Sequence, residues 1–264
     1  MTASARGPHS TGYPAGPYPR AFAHRGWHVG DLAGLENTAV AFERAVAEGY
    51  TYLETDVHVT ADGVLVAFHD SSLDRVTDRH GLVAELPWRE VRAARIGGRE
   101  PIPQLADLLH DFPIACFNID AKSDAAVRPL AEAIRDAGAQ HRVCVASFSD
   151  RRLGELRVAV GADVASSVGR RSVIQLVARS RRLPVPANLA AATAVQVPAR
   201  SSGVTVTTRA FVAAAHQRGL EVHVWTIDDA AEMHRLFDLG VDGILTDRPD
   251  LLRDILRERG AWPD

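Results

Sequence analysis

Charge of one sign is missing from these 264 residues: 30 Lys and Arg stand against 33 Asp and Glu, a formal charge of −3 with a pI near 6.4. That balance removes the electrostatic argument for nucleic acid or an anionic membrane surface as a partner. Cysteine is scarce. Cys116 and Cys144 are too few for a disulfide scaffold and too far apart in sequence for a zinc-ligand pair, and they read as small apolar fillers. No run approaches the ~18 apolar residues of a spanning helix. The Gly/Pro/Ser-rich first twenty residues contain no continuous apolar segment of the kind a signal peptide needs. Lysine is all but absent, because 29 of the 30 basic residues are Arg and the only lysine is Lys122.

What is present is ordinary globular composition, 46% apolar and 24% charged, with ample chain for a core. Residues 1–19 read as a flexible arm, and residues 20–264 as one domain, expected in the cytoplasm without a stable membrane anchor. No pattern in the chain specifies an oligomeric state.

From Arg20 onward, short β-like runs alternate with amphipathic stretches, the pattern of parallel βα units. Strands are expected at 21–24, 52–57, 114–120, 143–148, 163–166, 194–197, 221–225 and 243–246. Helices are expected at 38–48, 124–137, 209–218, 230–239 and 249–257. Gly49, Gly138, Gly219 and Gly240 follow four of them, where a left-handed cap is wanted. Eight strands with intervening helices predict an α/β fold, a (β/α)8 TIM barrel. A doubly wound open sheet is the alternative, but no G-x-G-x-x-G follows the first strand and no G-x-x-x-x-G-K-[ST] occurs anywhere. One connection breaks the alternation. Asp62-Gly63 between alternating apolar residues predicts a hairpin with a type I′ turn. Pairing Ala61 with Val64 would set Asp56 opposite His69, and residues from about 58 to 100 become a small insertion after strand two.

Barrel chemistry sits at the C-terminal ends of the strands. There the sequence puts His24-Arg25-Gly26, Glu54-Thr55-Asp56 and Asn118-Ile119-Asp120-Ala121-Lys122. Alternation gives Glu54 and Asp56 one face, and Asn118, Asp120 and Lys122 another. Three convergent carboxylates call for a cation, and oxygen-only ligands select Mg²⁺ or Ca²⁺ over zinc; solvated strand ends are the alternative. His24 and His69 reach the same rim by a strand end and a hairpin, which suits general acid–base work. His24 and His28, four apart on a strand-to-loop segment, cannot form a helical metal face. Lys122 reads as a compact point charge placed beside Asp120. Arg170, Arg171, Arg179, Arg181 and Arg182 read as a solvated basic face. Phe148 reads either as a contact for substrate or as a cap on the barrel.

Taken in order, His24-Arg25-Gly26, Glu36-Asn37-Thr38, Glu54-x-Asp56, Thr60-x-Asp62-Gly63, His69-Asp70, Leu73-x-Arg75 and the segment from Gly240 through Asp247 to Pro249 resemble the glycerophosphodiester phosphodiesterase family over about residues 22–252. The resemblance implies a barrel enzyme that hydrolyses small-molecule glycerophosphodiesters to glycerol 3-phosphate and an alcohol with one divalent cation, Mg²⁺ or Ca²⁺. It implies metal carboxylates at Glu54, Asp56 and Asp120, acid–base histidines at His24 and His69, and phosphate contacts from Arg25 and Lys122. Asn37 and Trp225 would lie near the substrate. The third carboxylate is often Glu in the family, so Asp120 is one methylene shorter. Asp228 stands where many relatives carry Asn, and it is assigned no role.

The resemblance leaves open whether water or the glycerol hydroxyl attacks phosphorus, and which histidine is acid and which base. A lysophospholipase D or sphingomyelinase D would need an exposed apolar rim, for which the insertion offers Leu82, Val83, Leu86 and Trp88. A non-catalytic phosphate-binding barrel would be expected to lack one of the carboxylates or histidines, and all are present.

Overall fold

The computed structural model describes residues 13–184 and 192–263. Along the chain, β1 (Arg20–His24), α1 (Ala39–Ala47) and β2 (Tyr52–Val59) lead into a hairpin with β3 (Leu65–Ala67). A rim segment follows, with α2 (Trp88–Val91) and the two-residue strands β4 (Arg95–Ile96) and β5 (Glu100–Pro101). The crossover helix α3 (Leu105–Asp111) then leads to β6 (Cys116–Ala121). The barrel continues through α4 (Val127–Asp136), β7 (Val143–Ala146), α5 (Asp150–Val160), β8 (Ala165–Ser166), α6 (Arg170–Ser180) and β9 (Ala194–Pro198). A small ribbon of β10 (Arg200–Ser201) and β11 (Val204–Thr205) precedes α7 (Arg209–His216), β12 (Glu221–Trp225), α8 (Ala230–Leu239), β13 (Gly243–Thr246) and α9 (Pro249–Glu258).

Eight strands run parallel in the order β8-β7-β6-β2-β1-β13-β12-β9. The seam is joined by a parallel bridge between Ser167 and Ala194, with the Val168 N–H donating to the Ala194 carbonyl at 3.0 Å. This is the expected barrel. Its outward strand faces pack against the helices in one continuous core that includes Leu53, Phe117, Val145, Val195, Val222 and Ile244.

The insertion has a core of its own, in which Leu35, Phe68, Leu73, Val83 and Ile96 are buried together. The hairpin differs from the expected register by one residue. Val57 lies opposite Ala67 and Val59 opposite Leu65, and Thr60 accepts Gly63 and donates to Val64 across a three-residue loop with Gly63 at φ 91°. The Thr60 hydroxyl causes the lengthening: it accepts the Val64 N–H at 3.0 Å and donates to Asp62 at 2.7 Å. Phe68, not His69, therefore stands opposite Asp56, donating its N–H to the Asp56 carbonyl at 2.9 Å.

The expected flexible arm is corrected in part. Residues 1–12 lie outside the described residues, but 13–19 close the floor of the barrel. Tyr13 is buried, edge-on to His223 at 4.8 Å, with the Arg20 guanidinium 4.7 Å over its ring. Arg20 donates to both oxygens of Glu221, at 2.5 and 2.7 Å, and to the Pro14 carbonyl at 3.0 Å. His223 lies 3.0 Å from the same carboxylate. Burial alone would raise the Glu221 pKa, but the Arg20 and His223 bonds outweigh it and bring the group down to about 2.

A group depressed in this way stabilises the fold above its ordinary pKa, and that contribution is lost as pH falls through the folded value. Replacing Glu221 by Gln leaves Arg20 buried and uncompensated, and is expected to cost about 3–5 kcal/mol in urea unfolding at pH 7. Between pH 4.5 and about 2 the wild-type loses stability more steeply than E221Q. Equal slopes would show that the floor pair is not what couples the fold to acid.

Candidate active site

Strand parity decides which side chains meet at the mouth. Alternate residues face the interior, and the parallel register sets them side by side on strands about 4.8 Å apart. His24 is aligned with Glu54, Glu54 with Asn118, and Asp56 with Asp120. After β1 the chain turns sharply, with Arg25 at φ 56° and Gly26 at φ 86°. A Cβ on Gly26 would fall 2.9 Å from the Ala41 carbonyl carbon, so the turn lies directly on α1. His24, Arg25, Glu54, Asp56, His69, Asp120, Lys122 and Trp225 all line one cavity of about 590 Å³.

Asp56 is the centre of the charge arrangement. The Lys122 ammonium lies 2.6 Å from Asp56 Oδ1 and 2.7 Å from Asp120 Oδ2, bridging two of the three expected metal carboxylates. Arg25 Nε is 3.4 Å from Asp56 Oδ2, and its Nη1 donates to Glu36 at 3.0 Å. Glu36 also accepts from Arg75 at 2.7 and 2.9 Å, and Arg75 Nε donates to Asp70 at 2.5 Å. Asp70 Oδ1 meets His69 Nδ1 at 2.6 Å. An unbroken path of alternating charge therefore runs from Asp120 to His69.

His24 is held from the other side. Its Nδ1 meets Asp247 Oδ1 at 2.5 Å, and His28 Nε2 approaches the same oxygen at 3.2 Å. Asp228 fixes the loop that carries Asp247, accepting the Asp247 N–H at 2.8 Å and the Thr246 hydroxyl at 2.9 Å. His24 Nε2 lies 3.7 Å from Glu54.

The titration shifts follow from this crowding. Burial, with Asp56 beside it, pushes Glu54 up to about 7. Burial also raises Asp120, against the opposing pull of Lys122. Burial would lower His24, but Glu54 and the bond to Asp247 outweigh it and the imidazole is raised. The Arg75 bond, helped by His69, brings Asp70 down to about 2.

Among the described residues, no group of three or more His, Cys, Asp or Glu side chains closes on a point as a metal cluster. The donor set nevertheless fits a hard cation. Glu54, Asp56 and Asp120 offer only oxygen, and the buried Asp56 Oδ2 and Asp120 Oδ1 have no hydrogen-bond donor among the described residues.

Asn37 does not reach the cavity wall. It is buried at φ 58°, accepts the Thr55 hydroxyl at 2.7 Å and donates its N–H to the Arg25 carbonyl at 2.9 Å, so it braces the Arg25 turn. Trp225 does reach the wall, edge-on to Phe148 at 5.6 Å. The sequence reading assigned no role to Asp70, Arg75, Glu36 or Asp247. Their motifs flagged them, but no spacing rule joins residues so far apart in the chain. Asp228 stands out in the sequence only as a departure from the family pattern, and Gln196, which donates to Asn118 at 2.7 Å, carries no sequence signal.

The model of the glycerophosphoryl diester phosphodiesterase family matches residues 24–251. The chain belongs to that family. It is 41% identical over 245 residues, 92% of each chain, to a probable glycerophosphodiester phosphodiesterase of Mycobacterium tuberculosis. A human lysophospholipase D is 26% identical, over 90% of this chain and 86% of its own. Among solved structures, a putative glycerophosphoryl diester phosphodiesterase from Silicibacter pomeroyi superposes with a TM-score of 0.77 at 25% identity, covering 96% of this chain and 98% of that one. An Oleispira antarctica phosphodiesterase, solved with its product sn-glycerol-3-phosphate, shares the fold with a TM-score of 0.73 at 21% identity, covering 91% and 97%.

In this phosphodiesterase, Asp247 fixes the His24 ring and its tautomer. Asp247→Asn should lower kcat by about 10²–10⁴-fold, with the circular dichroism spectrum and thermal melt retained. An unchanged kcat would remove Asp247 from the machinery.

Proposed function

We propose that the chain hydrolyses water-soluble glycerophosphodiesters to glycerol 3-phosphate and an alcohol, with His24 and His69 moving the protons. The observation that carries this reading is the pair of imidazoles on one cavity wall, each with Nδ1 bonded to a carboxylate, Asp247 at 2.5 Å and Asp70 at 2.6 Å. Holding Nδ1 fixes each ring and leaves Nε2 as the nitrogen that exchanges a proton with substrate or nucleophile. One ring takes the proton of the attacking hydroxyl, and the other supplies a proton to the departing alkoxide.

Arg25 and Lys122 meet the non-bridging phosphate oxygens. Both already lie against Asp56, so the incoming anion shares cations that the protein holds in place. Glu54, Asp56 and Asp120 would hold a divalent cation, Mg²⁺ or Ca²⁺, which when bound offsets the charge that builds on phosphorus. Trp225 borders the space for the glycerol or the alcohol. The product complex of the Oleispira antarctica enzyme, on the same fold, supports the choice of glycerol 3-phosphate.

The test is a panel of glycerophosphodiesters with choline, ethanolamine, inositol and glycerol head groups, followed by release of glycerol 3-phosphate. Wild-type protein should release it, His24→Ala and His69→Ala should be slower by about 10²–10⁴-fold, and a chelator should suppress the rate. Near-wild-type turnover in folded histidine variants would sink the acid–base assignment, and full activity in chelator would sink the cation.

A further inference from the structure

His24 and His28 stand four positions apart at the end of β1, and the chain between them turns back on itself. Arg25 at φ 56° and Gly26 at φ 86° reverse its direction, and Trp27 then holds it there. The Trp27 N–H donates to the Ala41 carbonyl at 2.9 Å. Its buried ring lies edge-on to Tyr50, with the guanidinium groups of Arg44 and Arg253 at 5.6 and 5.3 Å from its centre. His28 is thereby brought back over the residue that ends the strand. Its Nε2 lies 3.2 Å from the His24 carbonyl oxygen and 3.2 Å from Asp247 Oδ1.

A carbonyl oxygen can only accept, so Nε2 is the ring nitrogen of His28 that carries the hydrogen, and the carboxylate accepts the same N–H. Asp247 Oδ1 also meets His24 Nδ1 at 2.5 Å. The contacts close a ring that runs from the His24 imidazole through Asp247 and His28 to the backbone carbonyl of His24 itself. The orientation of the His24 side chain is thereby referred back to its own backbone.

Without His28 that orientation hangs on one bond. The Asp247 side chain is 39% exposed, and among the described residues its carboxylate is bonded only to these two imidazoles. Asp228 holds the Asp247 backbone N–H, not the carboxylate. An exposed carboxylate with a single anchor can change rotamer toward water, and each such excursion releases the His24 ring. Burial would raise the Asp247 pKa, but the bonds from His24 and then His28 outweigh it and hold the group well below the usual carboxylate range. His24 lines the reaction cavity, whereas neither Asp247 nor His28 does.

We infer that His28 is a positioning residue for phosphodiester hydrolysis: its Nε2–H latches Asp247 to the backbone of β1 and so keeps the His24 ring in its working orientation. The inference rests on the acid–base reading of His24 and extends it to a group one step removed from the cavity. Because His28 does not reach the space where substrate sits, its loss acts on kcat and not on KM. One hydrogen bond to a charged group corresponds to about tenfold in rate.

Three substitutions separate the N–H from the ring that carries it. His28→Ala removes both, His28→Phe keeps the ring volume without a donor, and His28→Gln supplies an N–H at a similar reach. With the glycerophosphodiester that wild-type protein turns over fastest, the Ala and Phe variants should lose about tenfold in kcat with KM within about twofold of wild-type. The Gln variant should return to within about threefold of the wild-type kcat. In an Asp247→Ala background, His28→Ala should cost no more than about twofold further, since the latch then has nothing to hold. Proton NMR of the substrate-free protein reads the same contact without turnover. A low-field resonance from the proton between His24 Nδ1 and Asp247, assigned by its absence in His24→Ala and Asp247→Ala, should shift or broaden in the Ala and Phe variants and persist in Gln. Thermal melts establish that each variant is folded, and His28→Phe, which leaves no cavity, stands in if His28→Ala does not fold.

Wild-type kcat in the folded Ala or Phe variant would overturn the inference, as would a Gln variant as slow as Phe. A loss confined to KM, or a full second loss in the Asp247→Ala background, would show that His28 acts by another route and would overturn it too. Failure of wild-type protein to hydrolyse any of the diesters would instead strike the phosphodiesterase reading. The resonance would still decide the latch: a signal unchanged in both the Ala and Phe variants removes His28 from the positioning of His24.

Discussion

Asp56 is pinned between two cations, Lys122 at 2.6 Å and Arg25 at 3.4 Å, and the arrangement of the barrel mouth follows from that pinning. Its carboxylate is almost wholly buried, beside Glu54 and Asp120, where unbalanced negative charge would be costly. Lys122 ties Asp56 to Asp120, while Arg25 ties it outward through Glu36, Arg75 and Asp70 to His69. The rim insertion is thereby bound to the barrel by charge as well as by its own apolar core. His69 arrives at the cavity with its ring already oriented.

The fold was legible because period-two alternation governs both ends of the same strands. Along β2 the inward positions run from Tyr52 on the floor through Glu54 to Asp56 at the mouth, and β6 repeats this with Cys116, Asn118 and Asp120. A reader of alternation alone recovers those sets. Helices α3, α5 and α6 were harder. On α6 the arginines dominate the sequence and conceal the Val173, Ile174 and Val177 face that lines the cavity.

Of the site, His24, Glu54, Asp56, Asp120 and Lys122 were readable from strand ends. The rest depends on contacts distant in sequence. The bond between His24 and Asp247 spans 223 positions, and that between Arg75 and Glu36 spans 39. The one-residue difference in the hairpin came from a single hydroxyl, because Thr60 lengthens the turn by bonding both Asp62 and Val64. Asn37 shows another kind of distance. Its motif places it near the substrate, and in the fold its backbone N–H supports the turn that presents Arg25 while its side-chain oxygen accepts the Thr55 hydroxyl.

The account stands or falls on whether Asp56 and its neighbours form a cation site as well as an anchor for Lys122 and Arg25. Calorimetric titration of the protein with Mg²⁺ and with Ca²⁺, without substrate, compares wild-type with Asp56→Asn. One binding event in the wild-type that is lost or weakened at least about tenfold in D56N, with the thermal melt showing a folded variant, is the predicted result. A wild-type protein that binds neither ion, or a D56N protein that binds as tightly as the wild-type, would contradict it.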